Sequence, residues 1–450
     1  MSNGGEIALI IAGLTAMVIA ASMLPGVLRV LLIGQSVYWG MSYVARPLVL
    51  LSTRPAPHFG DNVADPRLAS LGYDRAIAGA LQPVVYGVGV YAALVVALAI
   101  WVRYRGAMVR EVPMAGHPAF CATLGICYVV GSLGRAASVA AGTTAKAGEV
   151  ETSSPILALV TLLASIGSLG LIALARPARG AHTVLLIAGL MAGELLWTVA
   201  IESKTPIMGA ALAVAVRFAL TGWNRAKAAG VAAISVIGIG AFGWLQSLKE
   251  SPYLKSLSTE VNSSYPPAVQ PFLSLLRRFD LLEAATDAYY AGPHSWLTPG
   301  QVVQHGLTSL LPAQVLGAPK MQAGTAWASE VRGASVDMNG LTVSLAEGNV
   351  NEGYVLGGYA GVTVGVVFTF VVLLLWAAAL YSRRVVPVVL GLALSEIPVV
   401  FERGILGTFE VVGKYLQAVV LVWLIYQAVL EYQRRRRSLV PATGAMAIAT

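Results

Sequence analysis

Charged side chains that could do chemistry are few in this chain, and several stand apart from the basic clusters that end its apolar segments. Ionisable groups at membrane depth are costly and normally face a polar cavity or an opposite charge. We expect these groups to converge near the outer leaflet, where they would form a cationic vestibule with a few carboxylates. They are Arg46, Arg135, Glu202, Lys204, Glu402, Arg403, Glu410 and Lys414. We interpret Arg54, Arg67 and Arg75 as ordinary loop charges.

Cations grouped at a membrane surface favour a phosphate-bearing ligand. The planar guanidinium binds phosphate oxygens in bidentate fashion, and both arginine and lysine offset the charge. We expect Arg277 and Arg278 to take part in chemistry on such a ligand. The residues expected to bind it are Arg46, Arg135, Lys204, His294, Tyr354 and Arg403. Attraction to anionic headgroups is the alternative, and it explains the C-terminal arginines better than these residues.

Two carboxylates are the candidates for a base or for a group that orients a hydroxyl. Glu352 precedes an apolar segment by one residue, so a helix start would hold it at the membrane surface beside Tyr354. Favourable interaction with that helix's dipole is an equally weighted explanation. Asp280 is the second candidate, although its spacing of three from Arg277 also allows a structural salt bridge.

Composition decides which elements must position these groups. Of the 450 residues, 57% are hydrophobic and 12% charged, and the mean hydropathy is +0.72. Apolar runs of about 18 residues or more recur, each long enough to cross a hydrocarbon core about 30 Å thick as a helix. The sequence therefore predicts an all-α polytopic integral membrane protein and excludes soluble enzymes, secreted modules and β-barrels.

We predict eleven spans, together with a large loop that contains an amphipathic helix. The spans are 7–24, 27–50, 83–102, 118–141, 155–175, 182–201, 206–222, 228–247, 353–380, 385–400 and 410–430. The chain then divides into N-terminal spans over 1–247, a loop over 248–352, C-terminal spans over 353–430 and a basic tail over 431–450. No Lys or Arg precedes the first apolar run, so we interpret it as a span and not as a cleavable signal peptide.

Basic residues indicate the orientation, because cytoplasmic loops carry the excess of Lys and Arg. The four arginines from Arg434 to Arg437 should be cytoplasmic, and counting spans backwards puts the other basic clusters on the same side. The loop 248–352 is then extracytoplasmic, and its length of some hundred residues indicates a functional loop.

Within that loop, residues 271–290 have apolar side chains at helical spacing, and Gly292-Pro293 ends the pattern. We predict one amphipathic helix along the membrane surface. Its charged side, with Arg277, Asp280, Glu283 and Asp287, would face the vestibule. No nucleotide loop, zinc motif or nucleophile elbow occurs in the sequence, so we predict no cofactor and no metal.

Several short motifs occur in a characteristic order. They are Tyr43-Val44-Ala45-Arg46-Pro47, Glu202-Ser203-Lys204-Thr205, Arg277-Arg278-Phe279-Asp280, Gly292-Pro293-His294-Ser295-Trp296-Leu297, Asn351-Glu352-Gly353-Tyr354 and Gly357-Gly358-Tyr359-Ala360-Gly361. The sequence resembles the Wzy-type oligosaccharide repeat-unit polymerases of O-antigen and capsule assembly. The resemblance covers most of the chain in hydropathy, and its residue-level part is confined to about 200–361. Lys204 where arginine is also common, and Gly357-Gly358 in place of an Asn-Phe-type pair, depart from the family pattern.

The resemblance implies a metal-independent glycosyl transfer on the extracytoplasmic face of the bacterial plasma membrane. A growing glycan on undecaprenyl pyrophosphate would be the donor, and one repeat unit on another carrier would be the acceptor. The partners expected are these lipid-linked glycans, the bilayer and a chain-length regulator, with no nucleic acid. Arginines would neutralise the leaving pyrophosphate.

Other functions remain open from sequence. An O-antigen-ligase-type enzyme would need much the same cationic pocket. A GT-C glycosyltransferase usually has an acidic pair in its first extracytoplasmic loop, where this chain has the separate Asp61, Asp65 and Asp74. A transporter or flippase of lipid-linked glycan would line a path across the membrane with charges, whereas here the charges gather at one end.

Overall fold

A computed structural model gives the architecture of the chain. It describes residues 4–57, 63–106, 112–143, 155–177, 180–201, 205–222, 224–230, 233, 262–277, 279–311, 316, 320–333, 345–395 and 399–438. All regular elements in these residues are helical, as the composition predicts.

The N-terminal half contributes the helices α1 to α9 in the described residues. They are α1 (Gly5–Ser22), α2 (Gly26–Gly40), α3 (Arg46–Thr53), α4 (Pro66–Ser70), α5 (Tyr73–Arg105), α6 (Pro118–Ala140), α7 (Pro155–Leu174), α8 (Gly180–Ala200) and α9 (Thr205–Thr221). A π-helical segment, Met41–Ala45, joins α2 to α3 without a break and ends directly before Arg46. Such π-bulges are frequent at functional sites.

The described part of the C-terminal half contributes the helices α10 to α17. They are α10 (Gln270–Leu276), α11 (Leu281–Ala291), α12 (Pro299–Leu310), α13 (Ala323–Ala326), α14 (Asn349–Leu380), α15 (Val385–Leu394), α16 (Val399–Glu402) and α17 (Ile405–Ser438). A second π-helical segment, Trp327–Arg332, follows α13.

Seven helices in the described residues are long and apolar enough to cross a membrane: α1, α5, α6, α7, α8, α14 and α17. Two shorter apolar helices, α9 and α15, match further predicted spans, and the continuous helical stretch 26–53 matches the span 27–50. The predicted span 228–247 lies almost wholly outside the described residues. The chain therefore has the helix content of a multi-pass membrane protein.

α14 is not one uninterrupted helix. Gly357 and Gly358 have non-helical backbone angles, and Gly358 adopts φ +57°, a conformation that favours glycine. A Cβ on Gly353 would lie 2.4 Å from the carbonyl oxygen of Gly361, and one on Gly365 would lie 2.4 Å from that of Asn349. Residues 349–356 therefore fold back antiparallel against the first turns of the span. The two helical arms of this hairpin are in contact through glycines.

The hairpin places the polar start of α14 beside the span and away from its tip. Asn349 donates a hydrogen bond from Nδ2 to Thr369 Oγ1 at 3.0 Å, and both side chains are buried. At 1.5 Å per residue, the level of Gly365 is about 10 Å along the helix from Gly358. The prediction of a plain span over 353–380 is wrong in this respect: its first residues form a re-entrant helix.

The segment around residue 400 is also broken. α15 ends at Leu394, the one-turn α16 ends at Glu402, and α17 begins at Ile405 after Arg403 and Gly404. The backbone N–H of Gly348, just before the hairpin, donates to the carbonyl of Glu402 at 2.9 Å. The re-entrant hairpin and the broken helix therefore meet end to end.

The predicted amphipathic helix over 271–290 is two helices, α10 and α11, separated at residues 277–280. Its predicted end is confirmed, since α11 stops at Ala291 with Gly292 at φ +67°. The prediction that its charged side faces an open vestibule is wrong, because Asp287 is fully buried among packed helices. α11 packs against α5 and α14 instead of lying free on a surface.

Candidate functional site

Asp287 is the centre of the first charged cluster. Its side chain has no exposed surface and accepts hydrogen bonds from three side chains. Arg67 Nη2 approaches Oδ1 at 2.6 Å, Arg332 Nη2 approaches Oδ2 at 2.9 Å, and Trp327 Nε1 lies 3.1 Å from Oδ2. α11, α4 and the second π-helical segment are thereby tied together.

The cluster extends outward through further ion pairs. Arg67 also binds Asp65 at 2.6 Å, and Arg332 binds Glu283 at 2.8 Å. Burial raises the pKa of Glu283, against the opposing charges of Arg332 and Arg46. We call Asp65, Arg67, Glu283, Asp287 and Arg332, together with Arg46, the Asp287 network. It holds three arginines and three carboxylates, so its formal charge is zero.

Arg46 belongs to this network and is 1% exposed. Its guanidinium donates to the carbonyls of Phe279 at 3.3 Å and Val63 at 3.3 Å and lies 3.8 Å from Glu283. The prediction of an open, ligand-facing Arg46 is wrong for this conformation. The interpretation of Arg67 as an ordinary loop charge is also wrong, because Arg67 binds the buried Asp287. Local sequence did not reveal this partner, which lies 220 residues away.

Glu352 lies in a second cluster, at the junction of the hairpin and the broken helix. Its carboxylate is buried and accepts hydrogen bonds from the backbone N–H groups of Ile405 at 2.6 Å and Leu406 at 3.3 Å. These are the orphan donors of the first turn of α17, and a carboxylate there also interacts well with the helix dipole. Glu352 thus caps a different helix from its own, a contact that the sequence did not indicate.

Glu347 is a site residue that sequence reasoning missed. It is 1% exposed, and Arg403 Nη1 donates to its Oε2 at 3.2 Å. Its Oε1 is buried and has no hydrogen-bond partner among the described residues. Burial raises the pKa of Glu347, opposed chiefly by Arg403. The glycine after it, together with the Asn349 helix start, was the available signal, because the sequence places Glu347 just before an apolar segment.

Two glycines at the start of α17 make room for these two carboxylates: Gly404 directly precedes the helix, and Gly407 lies in its first turn. A Cβ on Gly404 would lie 2.3 Å from the carboxyl carbon of Glu352, and one on Gly407 would lie 2.7 Å from Glu347 Oε1. Both distances are too short for real contacts. The first turn of α17 is therefore shaped to receive two acidic side chains.

Two more carboxylates complete the cluster. Glu402 accepts a hydrogen bond from Tyr38 Oη at 2.5 Å. Glu410 accepts one from the backbone N–H of Ala323 at 2.6 Å and lies 3.5 Å from His305 Nε2. We call Glu347, Glu352, Glu402, Arg403 and Glu410 the Glu347 cluster.

Cations are too few to balance this cluster. Lys320 is charge-coupled to Glu410, and burial lowers the pKa of this lysine. Burial likewise lowers the pKa of His305, which favours the neutral imidazole. Counting Arg403 and Lys320 against the four glutamates leaves a formal surplus of two negative charges among the described residues. The predicted cationic vestibule is therefore wrong here: carboxylates outnumber cations.

The other predicted residues lie near these two clusters, apart from Arg135 and the residues that the structure does not describe. Asp280 stands at the N-cap position of α11, and Arg277 donates to Asn262 Oδ1 at 2.8 Å. His294 donates from its backbone N–H to Val355 O at 2.9 Å, and the ring of Tyr354 lies 5.7 Å from that of Tyr359. His294 and Tyr354 thus lie at the hairpin. Arg278 and Lys204 lie outside the described residues.

Arg135 lies in a third cluster, between α6, α7 and α8. It pairs with Glu194 in bidentate fashion, at 2.9 and 3.1 Å, and donates to Ser165 at 2.6 Å. Its guanidinium also lies 5.1 Å from the ring centre of Trp197. A buried, doubly bonded pair of this kind is a structural arrangement by geometry. The structure gives Arg135 a protein partner where the sequence predicted a ligand.

The fold and these clusters define a class: an all-α chain with several helices able to cross a membrane and a buried, carboxylate-rich junction between a re-entrant hairpin and a broken helix. No family model, no curated protein and no solved structure matches the chain.

Proposed function

We propose that this chain is a membrane glycosyltransferase that polymerises undecaprenyl-pyrophosphate-linked oligosaccharide repeat units on the extracytoplasmic face of the plasma membrane. The resemblance of the sequence to Wzy-type polymerases supplies the reaction class. The Glu347 cluster supplies the groups that such a reaction needs.

One observation carries the proposal: four glutamates and one arginine meet where the hairpin reaches the start of α17. Irregular backbone at membrane depth is tolerated where it is buried in protein or lines a cavity, and it then commonly forms a site. Uncompensated carboxylates held in such a place require a functional reason, because burying them is costly.

Glycosyl transfer gives these groups distinct tasks. The acceptor hydroxyl oxygen attacks the anomeric carbon of the donor, and the bond from that carbon to the pyrophosphate oxygen breaks with its electron pair leaving on the pyrophosphate. A carboxylate of the cluster takes the hydroxyl proton. Arg403 stabilises the charge that develops on the leaving group. No metal is required for this sequence of events.

Glu352→Gln tests the carboxylate assignment in purified protein reconstituted with a lipid-linked repeat unit. The amide oxygen can still accept from Ile405 and Leu406, so folding should survive. Chain lengthening should fall by about a hundredfold or more if the charge serves the reaction. Asp280→Asn is the parallel test of the other predicted carboxylate.

Glu431→Gln is the matched control, because Glu431 pairs with Arg435 on the exposed side of α17. This variant should lengthen chains at the wild-type rate. Near-normal activity of both Glu352→Gln and Asp280→Asn would remove these carboxylates from the mechanism.

A transporter of lipid-linked glycan is the second candidate, because re-entrant and discontinuous helices meeting at buried charges are typical of ion-coupled transporters. Proteoliposomes separate the two functions. A polymerase converts single repeat units to a ladder of products, whereas a transporter moves the unaltered lipid to the other leaflet. An O-antigen-ligase-like or GT-C enzyme would instead attach a glycan once to a different acceptor.

A further inference from the structure

Glu347 and Arg403 form a pair that is unequally exposed. The Glu347 side chain is 1% exposed and that of Arg403 is 25% exposed. Arg403 is therefore the more accessible member of the pair. A ligand arriving at the cluster reaches this side chain before it reaches the carboxylate.

The pair is also weakly built in comparison with its neighbours in the fold. Arg403 uses one nitrogen, Nη1, for both the Glu347 carboxylate at 3.2 Å and the Leu345 carbonyl at 3.0 Å. Arg332 by contrast holds Asp287 through both Nε and Nη2. A guanidinium has five N–H donors, so most of the donor capacity of Arg403 is left for another acceptor.

The carboxylate is equally incomplete. Glu347 Oε1 has no hydrogen-bond partner in the part of the chain that the structure describes, although buried polar atoms in native proteins are nearly always satisfied. The backbone of Gly407 packs against this oxygen, because a Cβ there would lie 2.7 Å from it. An unpartnered buried carboxylate oxygen is an acceptor that awaits a proton or a hydroxyl donor.

We propose that Arg403 exchanges partners during the reaction. A phosphate oxygen of the lipid-linked pyrophosphate replaces Glu347 on the guanidinium, and the released Glu347 becomes the group that accepts the proton of the acceptor hydroxyl. The acceptor oxygen bonds to the anomeric carbon, the carbon–oxygen bond to pyrophosphate breaks, and the proton passes to Glu347 Oε1. This inference rests on the proposed function for its chemistry, but the exchange itself is a binding event.

The exchange explains why a base can sit in a buried place without being neutralised by its own ion pair. In the resting state Arg403 favours the charged form of Glu347, against the effect of burial. Phosphate binding removes that counter-charge, which makes the carboxylate more basic at the moment when donor and acceptor are both present. Catalysis without a bound donor is thereby suppressed.

Binding of inorganic pyrophosphate to the purified full-length protein in nanodiscs tests the exchange. Glu347→Gln removes the competing charge and should bind pyrophosphate about tenfold to a hundredfold more tightly than wild type, while chain lengthening falls about a hundredfold or more. Arg403→Gln should lose pyrophosphate binding as well as activity. Glu431→Gln should match wild type in both measurements.

The combination of tighter binding and lost turnover is the diagnostic result, because a purely structural role would weaken both. Unchanged or weaker pyrophosphate binding by Glu347→Gln overturns the exchange. If that variant fails to fold, Glu347→Asp replaces it, since the shorter side chain should also release Arg403 and bind pyrophosphate more tightly. Tighter binding in a protein whose wild type lengthens no chains would support the exchange and reject the polymerase.

Discussion

The Asp287 network and the Glu347 cluster are built from the same residue types to opposite effect. In the first, every carboxylate has an arginine and every short contact is an ion pair or a charge-assisted hydrogen bond. In the second, the four glutamates contact backbone N–H groups, a tyrosine and one half-buried arginine. Balanced charge ties α11 to its neighbours, whereas in the Glu347 cluster the carboxylates outnumber the arginines.

The comparison teaches how to weigh buried arginines in this fold. Burial of Arg46, Arg67 and Arg332 is explained by partners within the protein, so these residues hold structure together. Arg403 is the half-buried arginine that lies beside a carboxylate oxygen with no hydrogen-bond partner among the described residues. The pairing of the carboxylates around an arginine, more than the presence of the arginine itself, distinguishes a structural arginine from a candidate ligand-binding one.

The largest effect is expected for Asp287→Ala. Removing this carboxylate leaves Arg67 and Arg332 buried without their shared partner, which should cost about 3–5 kcal/mol of unfolding free energy. Asp74→Ala is the matched control, because its arginine, Arg54, is 61% exposed, and it should cost about 1 kcal/mol or less. Thermal unfolding in nanodiscs measures both. Equal stability of the two variants would contradict the structural role of the network.

Arg135→Gln should cost about 3 kcal/mol, at the low end of the range for a broken buried pair. Ser168 still donates to Glu194 at 2.5 Å, so the carboxylate keeps one partner. The Michaelis constant for the lipid-linked donor should stay at the wild-type value in the protein that remains folded. A raised Michaelis constant with unchanged stability would restore Arg135 to the ligand site that the sequence predicted.

Sequence patterns predicted the helical spans because hydropathy over about 20 residues needs no knowledge of neighbours. They also predicted the end of α11 at Gly292-Pro293, where local backbone chemistry decides. Glu352 and Tyr354 were correctly placed at a helix start. These features depend on residues close together in the chain.

The features that escaped prediction depend on distant partners. By hydropathy, residues 353–380 form one apolar run. A hydropathy average contains no information on the reversal of the chain at Gly357-Gly358. The pairing of Asp287 with Arg67 joins residues 220 positions apart, and Glu352 reaches Ile405 across 53 positions. Charge type alone therefore predicted a cationic site, and only the three-dimensional pairing revealed the carboxylate surplus.

Gly353→Ala should disturb the hairpin, because the added Cβ would lie 2.4 Å from the Gly361 carbonyl oxygen. Overpacking of this kind costs about 1–3 kcal/mol. It should also lower activity, since the hairpin carries Glu352. Gly89→Ala in α5 is the control: no atom outside its own helix lies within 4 Å of a Cβ there, and alanine favours helix by about 1 kcal/mol. Equal unfolding temperatures and rates would argue against the antiparallel contact.

The smallest effect concerns pH. Burial raises the pKa of Glu347, so acidification protonates it earlier than an ordinary glutamate and removes the charge that competes for Arg403. The advantage of Glu347→Gln over wild type in pyrophosphate binding should therefore narrow as the pH falls from about 8 to about 5. The groups that face Glu347 are Arg403 and Glu402 from the broken helix, Glu352 from the hairpin and Glu410 from α17. They remain in both proteins, and the protonation of pyrophosphate itself is common to both, so the ratio of the two dissociation constants isolates Glu347. A ratio that stays constant or widens on acidification would mean that Glu347 does not compete for Arg403, and the Glu347 cluster would then have to be interpreted as structural, like the Asp287 network.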